Sequence, residues 1–247
     1  RARCSPQPMP APQVPVPSMD RIDRMVAPVV APEVREAMRA LSRPVSADIR
    51  AQLASMGGPS RERQDTAATA RQVAALIAAL GDADAEVRRV AAHSLGQLED
   101  RRAVPALINA LHDADAEVRH QSAWSLGQLE DRRAVAPLGV ALGDADATMR
   151  QTAAWALGQL DQKSAVVALS GALRDSSDEV RGVAAWAIGT LGPDHPPAAL
   201  LDAVKDAAPD VREKGAWALG SIADAAAVPA LKAALGDDAR DVRKAAL

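Results

Sequence analysis

Two rhythms of apolar and polar residues overlap along this chain. The shorter one is helical. With Val87 at zero and about 100° per residue, Ala91, Ser94, Leu95 and Leu98 fall within about 80° of it and form one packing face. Leu107, Ile108 and Leu111 keep helical spacing in the same way. The longer rhythm is a repeat. Val87-Arg88 returns as Val118-Arg119, Met149-Arg150, Val180-Arg181, Val211-Arg212 and Val242-Arg243, always 31 residues on. Gly96, Gly127, Gly158, Gly189 and Gly220 keep that step, as do Asp82, Asp113, Asp144, Asp175, Asp206 and Asp237. A fixed period of this size predicts stacked supersecondary units. Each unit reads as a short helix, as in Val104 to Leu111, then a longer one from about Ala116 to Leu129. Asp115 is placed to cap the second helix and Glu117 to favour its positive first turn, and Leu-Glu-Asp-Arg-Arg follows as a polar turn.

The first third of the chain has no such beat. Residues 1–32 hold eight of the 17 prolines, which favour extended polyproline geometry and read as a disordered tether. Residues 33–65 read as short helical segments and linker, with Val34, Ala37, Met38 and Leu41, then Ile49, Leu53 and Met56, at helical spacing. The array occupies 66–247. Leu247 is equivalent to Ala92, midway through a second helix, so the last repeat is truncated and we expect the array to continue in a larger polypeptide.

Composition sharpens this picture. With no Phe and no Tyr, four Trp are the whole aromatic inventory, and Ala, Leu and Val must build the core. Charge splits between the parts: residues 1–70 carry ten basic and seven acidic side chains, residues 71–247 carry 19 and 25. A single Cys excludes an internal disulfide framework, and no apolar run reaches the ~18 residues of a membrane span.

The repeated pattern Val-Arg-x2-Ala-Ala-x-Ser/Ala-Leu-Gly-x-Leu, as in Val87 to Leu98, Val118 to Leu129 and Val180 to Leu191, resembles the HEAT-like repeats of the phycocyanobilin-lyase type. The resemblance implies an all-α fold, a right-handed αα-superhelix (solenoid) of about five and a half 31-residue two-helix repeats. It implies structural roles for Asp82/Arg88, Asp113/Arg119, Asp144/Arg150, Asp175/Arg181 and Asp206/Arg212, as a ladder between neighbours. It also puts the second helices on the concave side.

On the wheel, Arg89, His93 and Gln97 point away from the packing face, between about 200° and 280°. Position 93 recurs as Trp124, Trp155, Trp186 and Trp217, so all four Trp share one column with His93. Beside it stand Arg89, Val90 and Gln97; His120, Gln121 and Gln128; Gln151, Thr152 and Gln159; Gly182, Val183 and Thr190; Glu213, Lys214 and Ser221. One reading is an exposed stripe that binds a peptide or protein, aromatics supplying area and amides adaptable hydrogen bonds. The other is packing, each indole stacking on the next unit.

No catalytic constellation is present. The four His lack metal-ligand spacing, His93 and His120 read as groove contacts, His112 as a turn residue, and no cofactor motif stands out. Nucleic acid is disfavoured because the groove offers only Arg89 and Lys214, opposed by Glu213. The leading expectation is a non-enzymatic, monomeric interaction scaffold binding a protein or peptide, with no nucleic acid and no membrane insertion in this segment. The alternatives are a phycobilin lyase or phycobilisome-related subunit, and a regulatory appendage of an upstream membrane-bound peptidase or sensor.

Overall fold

The computed structural model describes residues 61–247, with side chains from Thr69 onward. The segments expected over 1–32 and 33–60 lie outside the described residues. Residues 61–65 form the start of α1 (Arg61–Ala79), which pairs with α2 (Ala85–Gln97). The following pairs are α3 (Val104–Ala110) with α4 (Ala116–Gln128), α5 (Val135–Ala141) with α6 (Ala147–Gln159), and α7 (Val166–Ala172) with α8 (Asp178–Leu191). Then come α9 (Ala198–Ala203) with α10 (Pro209–Ile222), and α11 (Val228–Ala234) with the short α12 (Arg240–Ala245). Among the described residues there is no strand.

Local chemistry sets the helix ends. Asp84, Asp115 and Asp146 sit in extended geometry and accept first-turn amides, and Ser177 does the same for α8. Ala208 offers no side-chain cap, and Pro209 starts α10 instead. The residue after each second helix is left-handed at the same repeat position: Glu99, Glu130, Asp161, Gly192 and Ala223 all have φ between 47° and 55°. Only Gly192 adopts this without a steric cost. The fifth repeat also differs in its entry. A short 3-10 turn leads into α3, α5, α7 and α11, whereas α9 follows Pro197 directly.

Second helices pack on one another in chain order, α2 on α4, α6, α8, α10 and α12. Small residues allow this. Ala92, Ala123, Ala154, Ala185 and Ala216, one per repeat, are fully buried. In the first five repeats each first helix packs against the second helix of its own repeat, with Leu107, Leu138, Leu169 and Leu200 sealed between the layers, while α11 packs on α10. The core is therefore a continuous ribbon, and each repeat leans on its neighbours.

An arginine in each second helix ties the stack together. Arg88 grips Asp113 of the next repeat with two bonds of 2.7 Å, and its Nη1 donates to the Asp82 and Ala83 carbonyls of its own turn. The same fork joins Arg119 to Asp144, Arg150 to Asp175, Arg181 to Asp206 and Arg212 to Asp237. The ladder expected from the resemblance exists, but its carboxylate partner is 25 residues ahead. The Asp six residues back contributes its backbone oxygen, and in Asp113 and Asp144 the carboxylate is held instead by the arginine of the preceding repeat.

Candidate functional site

The residues expected to form a binding stripe lie on α2, α4, α6, α8 and α10, and the structure divides them by burial. Trp155 is 3% and Trp186 5% exposed, so neither belongs to an exposed aromatic stripe. A helical wheel gives the direction of Cα–Cβ, and an indole is long enough to swing sideways from it. Each ring does so toward the preceding second helix, where a glycine leaves room. A Cβ on Gly127 would lie 2.8 Å from Trp155 Cζ3, one on Gly158 3.0 Å from Trp186 Cζ3, and one on Gly189 2.7 Å from Trp217 Cζ3. The glycine column is the socket for the indole column. Its signal was in the sequence, a Gly with a Trp 28 residues later, four times over, although the first of these, Gly96, meets Ser125 rather than Trp124.

His120 and Gln121 are corrected likewise. They are 7% and 2% exposed, shut between α4 and its neighbours, and are not free groove contacts. Gln121 spends its amide on His93, Nε2 to Nδ1 at 3.2 Å. Trp124 stacks on the same imidazole, with ring centroids 5.5 Å apart and planes 25° apart. Ser125 donates 2.8 Å across the helix pair to the Ala92 carbonyl, above Gly96. Three buried polar atoms in this layer have no hydrogen-bond partner: His120 Nε2, Thr152 Oγ1 and Trp186 Nε1.

The accessible remainder is mostly neutral. Gln97 and Gln128 are exposed, and His93, Trp124, Gln151, Gln159 and Trp217 are half-buried. Arg89 is bound to Glu86 and Lys214 to Asp210 within their own helices, so the two groove cations are paired. Glu213 is half-buried, and burial, reinforced by Asp241 and Asp210, pushes its carboxyl up. Lys214 lies over Gly182, its Nζ 3.3 Å from where a Cβ would stand. Among the described residues no group of three or more His, Cys, Asp or Glu is placed to hold a metal. No helix among them is long and apolar enough to cross a membrane.

A family model described as HEAT repeats matches residues 34–113, 73–148, 104–189 and 166–247. The chain belongs to the HEAT-repeat family. Its HEAT array is similar to solved structures of the same architecture. One is the complex of CpcE and CpcF of phycocyanin lyase from Nostoc sp. PCC7120, at 25% identity and a TM-score of 0.55, covering 69% of this chain and 73% of that one. Another is a designed armadillo repeat protein in complex with the peptide (KR)4, at 21% identity and a TM-score of 0.53, covering 69% and 95%. The Escherichia coli protein YibA aligns at 23% identity and a TM-score of 0.52, over 83% of this chain and 74% of its own. No curated protein sequence matches the chain.

Titration of the HEAT array follows from its burial pattern. Burial holds the His120 imidazole below its ordinary value, against Glu117 and Asp146, and burial with Arg89 does the same for His93. Such groups favour the fold when neutral, so stability falls once the pH drops through their unfolded value near 6.5. The ladder carboxyls Asp113, Asp144, Asp175 and Asp206 are held low first by their arginine hydrogen bonds. Asp131, beside Arg133, is held down to about 2. Their contribution is complete above the unfolded carboxyl value near 4 and is lost below it. Thermal melts followed by circular dichroism should therefore show a shallow drop below about pH 6.5 and a steep one below about pH 4. A melting temperature constant from pH 7 to pH 3 would contradict both assignments.

Proposed function

We propose that the protein is a non-catalytic interaction scaffold that binds a peptide or protein along the exposed side of its second helices. A helical-repeat architecture suits such a role, and the (KR)4 complex of a designed relative in fold is one instance of it. The observation that carries the reading is the column Gln97, Gln128 and Gln159. These three carboxamides stand one per repeat and have no hydrogen-bond partner among the described residues, and Gln97 and Gln128 follow the stacked His93 and Trp124 by one helical turn. Each offers two donors and an acceptor, the complement of a peptide backbone. The pairing of Arg89 and Lys214 within their own helices argues against phosphate binding, which needs a free basic field. The array reads as a monomer.

The test is a selection for bound peptides from a display library, repeated with the triple variant Gln97→Ala/Gln128→Ala/Gln159→Ala. Each lost hydrogen bond is worth about 1 kcal/mol, so the variant should bind at least tenfold more weakly with an unchanged melting temperature. Undiminished affinity would remove this face as the site.

The likeness to the CpcE–CpcF complex supports a second reading, a role in handling a linear tetrapyrrole. It requires a shift in the visible spectrum of the bilin on mixing, and an unchanged spectrum ends it.

A further inference from the structure

We propose that Ser176 is a phosphorylation site for an acid-directed serine kinase, and that its phosphate binds the ladder arginine Arg150 and stiffens the joint between repeats three and four. The inference does not depend on which face of the array binds a partner.

The turn before each second helix opens with a ladder aspartate. The residue after it is Ala83, Ala114, Ala145 or Ala207 in four repeats, and a methyl group offers nothing to a guanidinium. Repeat four has Ser176 at this position and repeat six has Asp238. Ser176 is exposed. Its Oγ lies 3.4 Å from Arg150 Nη2 and 3.4 Å from Asp175 Oδ1. The hydroxyl is thus accessible and stands at the edge of the Arg150–Asp175 fork.

Repeat six shows what a negative group does there. Arg212 keeps its fork on Asp237, at 2.8 and 3.0 Å, and its Nη2 also donates to Asp238 Oδ1 at 2.8 Å. The Asp238 side chain is 91% exposed, so it is the guanidinium and not packing that holds it. The acidic surroundings match as well. Asp237 precedes Asp238 and Asp241 follows it by three residues, as Asp175 precedes Ser176 and Glu179 follows it by three. The arginine takes the extra carboxylate in spite of these neighbours. A phosphate on Ser176 brings about 1.5 to 2 negative charges and three acceptor oxygens to the same place, where Arg150 reaches them without releasing Asp175. The 14-residue helix α8 begins two residues later, and its positive N-terminal end favours the charge.

The flanking residues set the class of enzyme. Asp178 and Glu179, two and three residues after Ser176, are exposed and supply the acidic context. Ser177 is already engaged, because it caps the Val180 amide and donates to Glu179 at 2.6 Å. In the transfer, Ser176 Oγ attacks the γ-phosphorus of a nucleoside triphosphate held by the kinase. The Oγ–phosphorus bond forms and the bond from phosphorus to the bridging oxygen breaks. The nucleoside diphosphate leaves, and the hydroxyl proton passes to the base of the kinase. Each repeat leans only on its neighbours, so the new contact acts at one joint, limiting the motion of α6 against α8.

The test treats the full chain with a purified acid-directed serine kinase and ATP. Trypsin then releases the peptide Asp175–Arg181, whose fragment masses separate Ser176 from Ser177. Phosphate should be found on Ser176, and the phosphorylated chain should melt about 2–4 °C higher. In phosphorus NMR the phosphoserine should titrate below its ordinary value of about 6, and should return to it in the Arg150→Met variant. Ser176→Asp should reproduce part of the rise without kinase, and kinase-treated Ser176→Ala should show none. A peptide left unmodified, or modified on Ser177 alone, would overturn the assignment of the site. An unchanged or lowered melting temperature, or a titration indifferent to Arg150, would overturn the contact.

Discussion

Trp155→Ala should destabilise the array by about 3–5 kcal/mol, the cost of emptying a large aromatic site in a packed core. The ring is 97% buried, and its Cζ3 edge fills the space that a side chain on Gly127 would take. Its loss opens a cavity between α4 and α6, and a glycine cannot reach across to fill it. Neighbour-only stacking confines the damage to the joint between repeats two and three. Urea unfolding followed by far-ultraviolet circular dichroism should show a lower midpoint, with a broadened or two-step transition as the halves uncouple. Trp124→Ala, at a half-buried position, should cost less. A loss below about 1 kcal/mol for Trp155→Ala would show that the indole is not a structural wedge, and would return it to the binding face.

Arg150→Met is the second large effect. The Arg150 fork holds both oxygens of Asp175 at 2.7 Å and two turn carbonyls at 3.0 and 3.2 Å. The side chains keep 13% and 10% of their exposure, so the pair lies between a surface bridge and a buried one. We expect a loss of about 2–3 kcal/mol, below the full penalty of an orphaned buried charge because Asp175 still sees some water. The second change Asp175→Asn removes that charge while keeping an acceptor for the Ser177 amide. The double variant should therefore be more stable than the sum of the two losses. Strict additivity in chemical denaturation would mean that the arginine acts only through its own turn.

Both effects bear on how far this protein could be read from its residues. The repeat step, helix pairs, Asp caps and all-α solenoid class were legible because each is local or periodic. A helix needs only its own 3.6-residue spacing and end chemistry, and a 31-residue beat survives any error in element boundaries. The partner of each ladder arginine was not legible. Asp82 and Asp113 are both within reach of Arg88 in sequence terms, and only the stacking rise decides which carboxylate meets the guanidinium.

The candidate site shows the same division. The sequence determined which residues share the outward column, since helical phase places His93, Trp124, Trp155, Trp186 and Trp217 on one line. It also determined that this line is bordered by amides and little charge. The tertiary structure alone decided which of them touch solvent. Burial depends on how closely the next helix approaches, and that distance is set by pairs such as Gly127 with Trp155 that meet only after the repeats have stacked. Trp155 and Trp186 therefore became mortar between helices, while Gln97 and Gln128 of the same outward side stayed exposed.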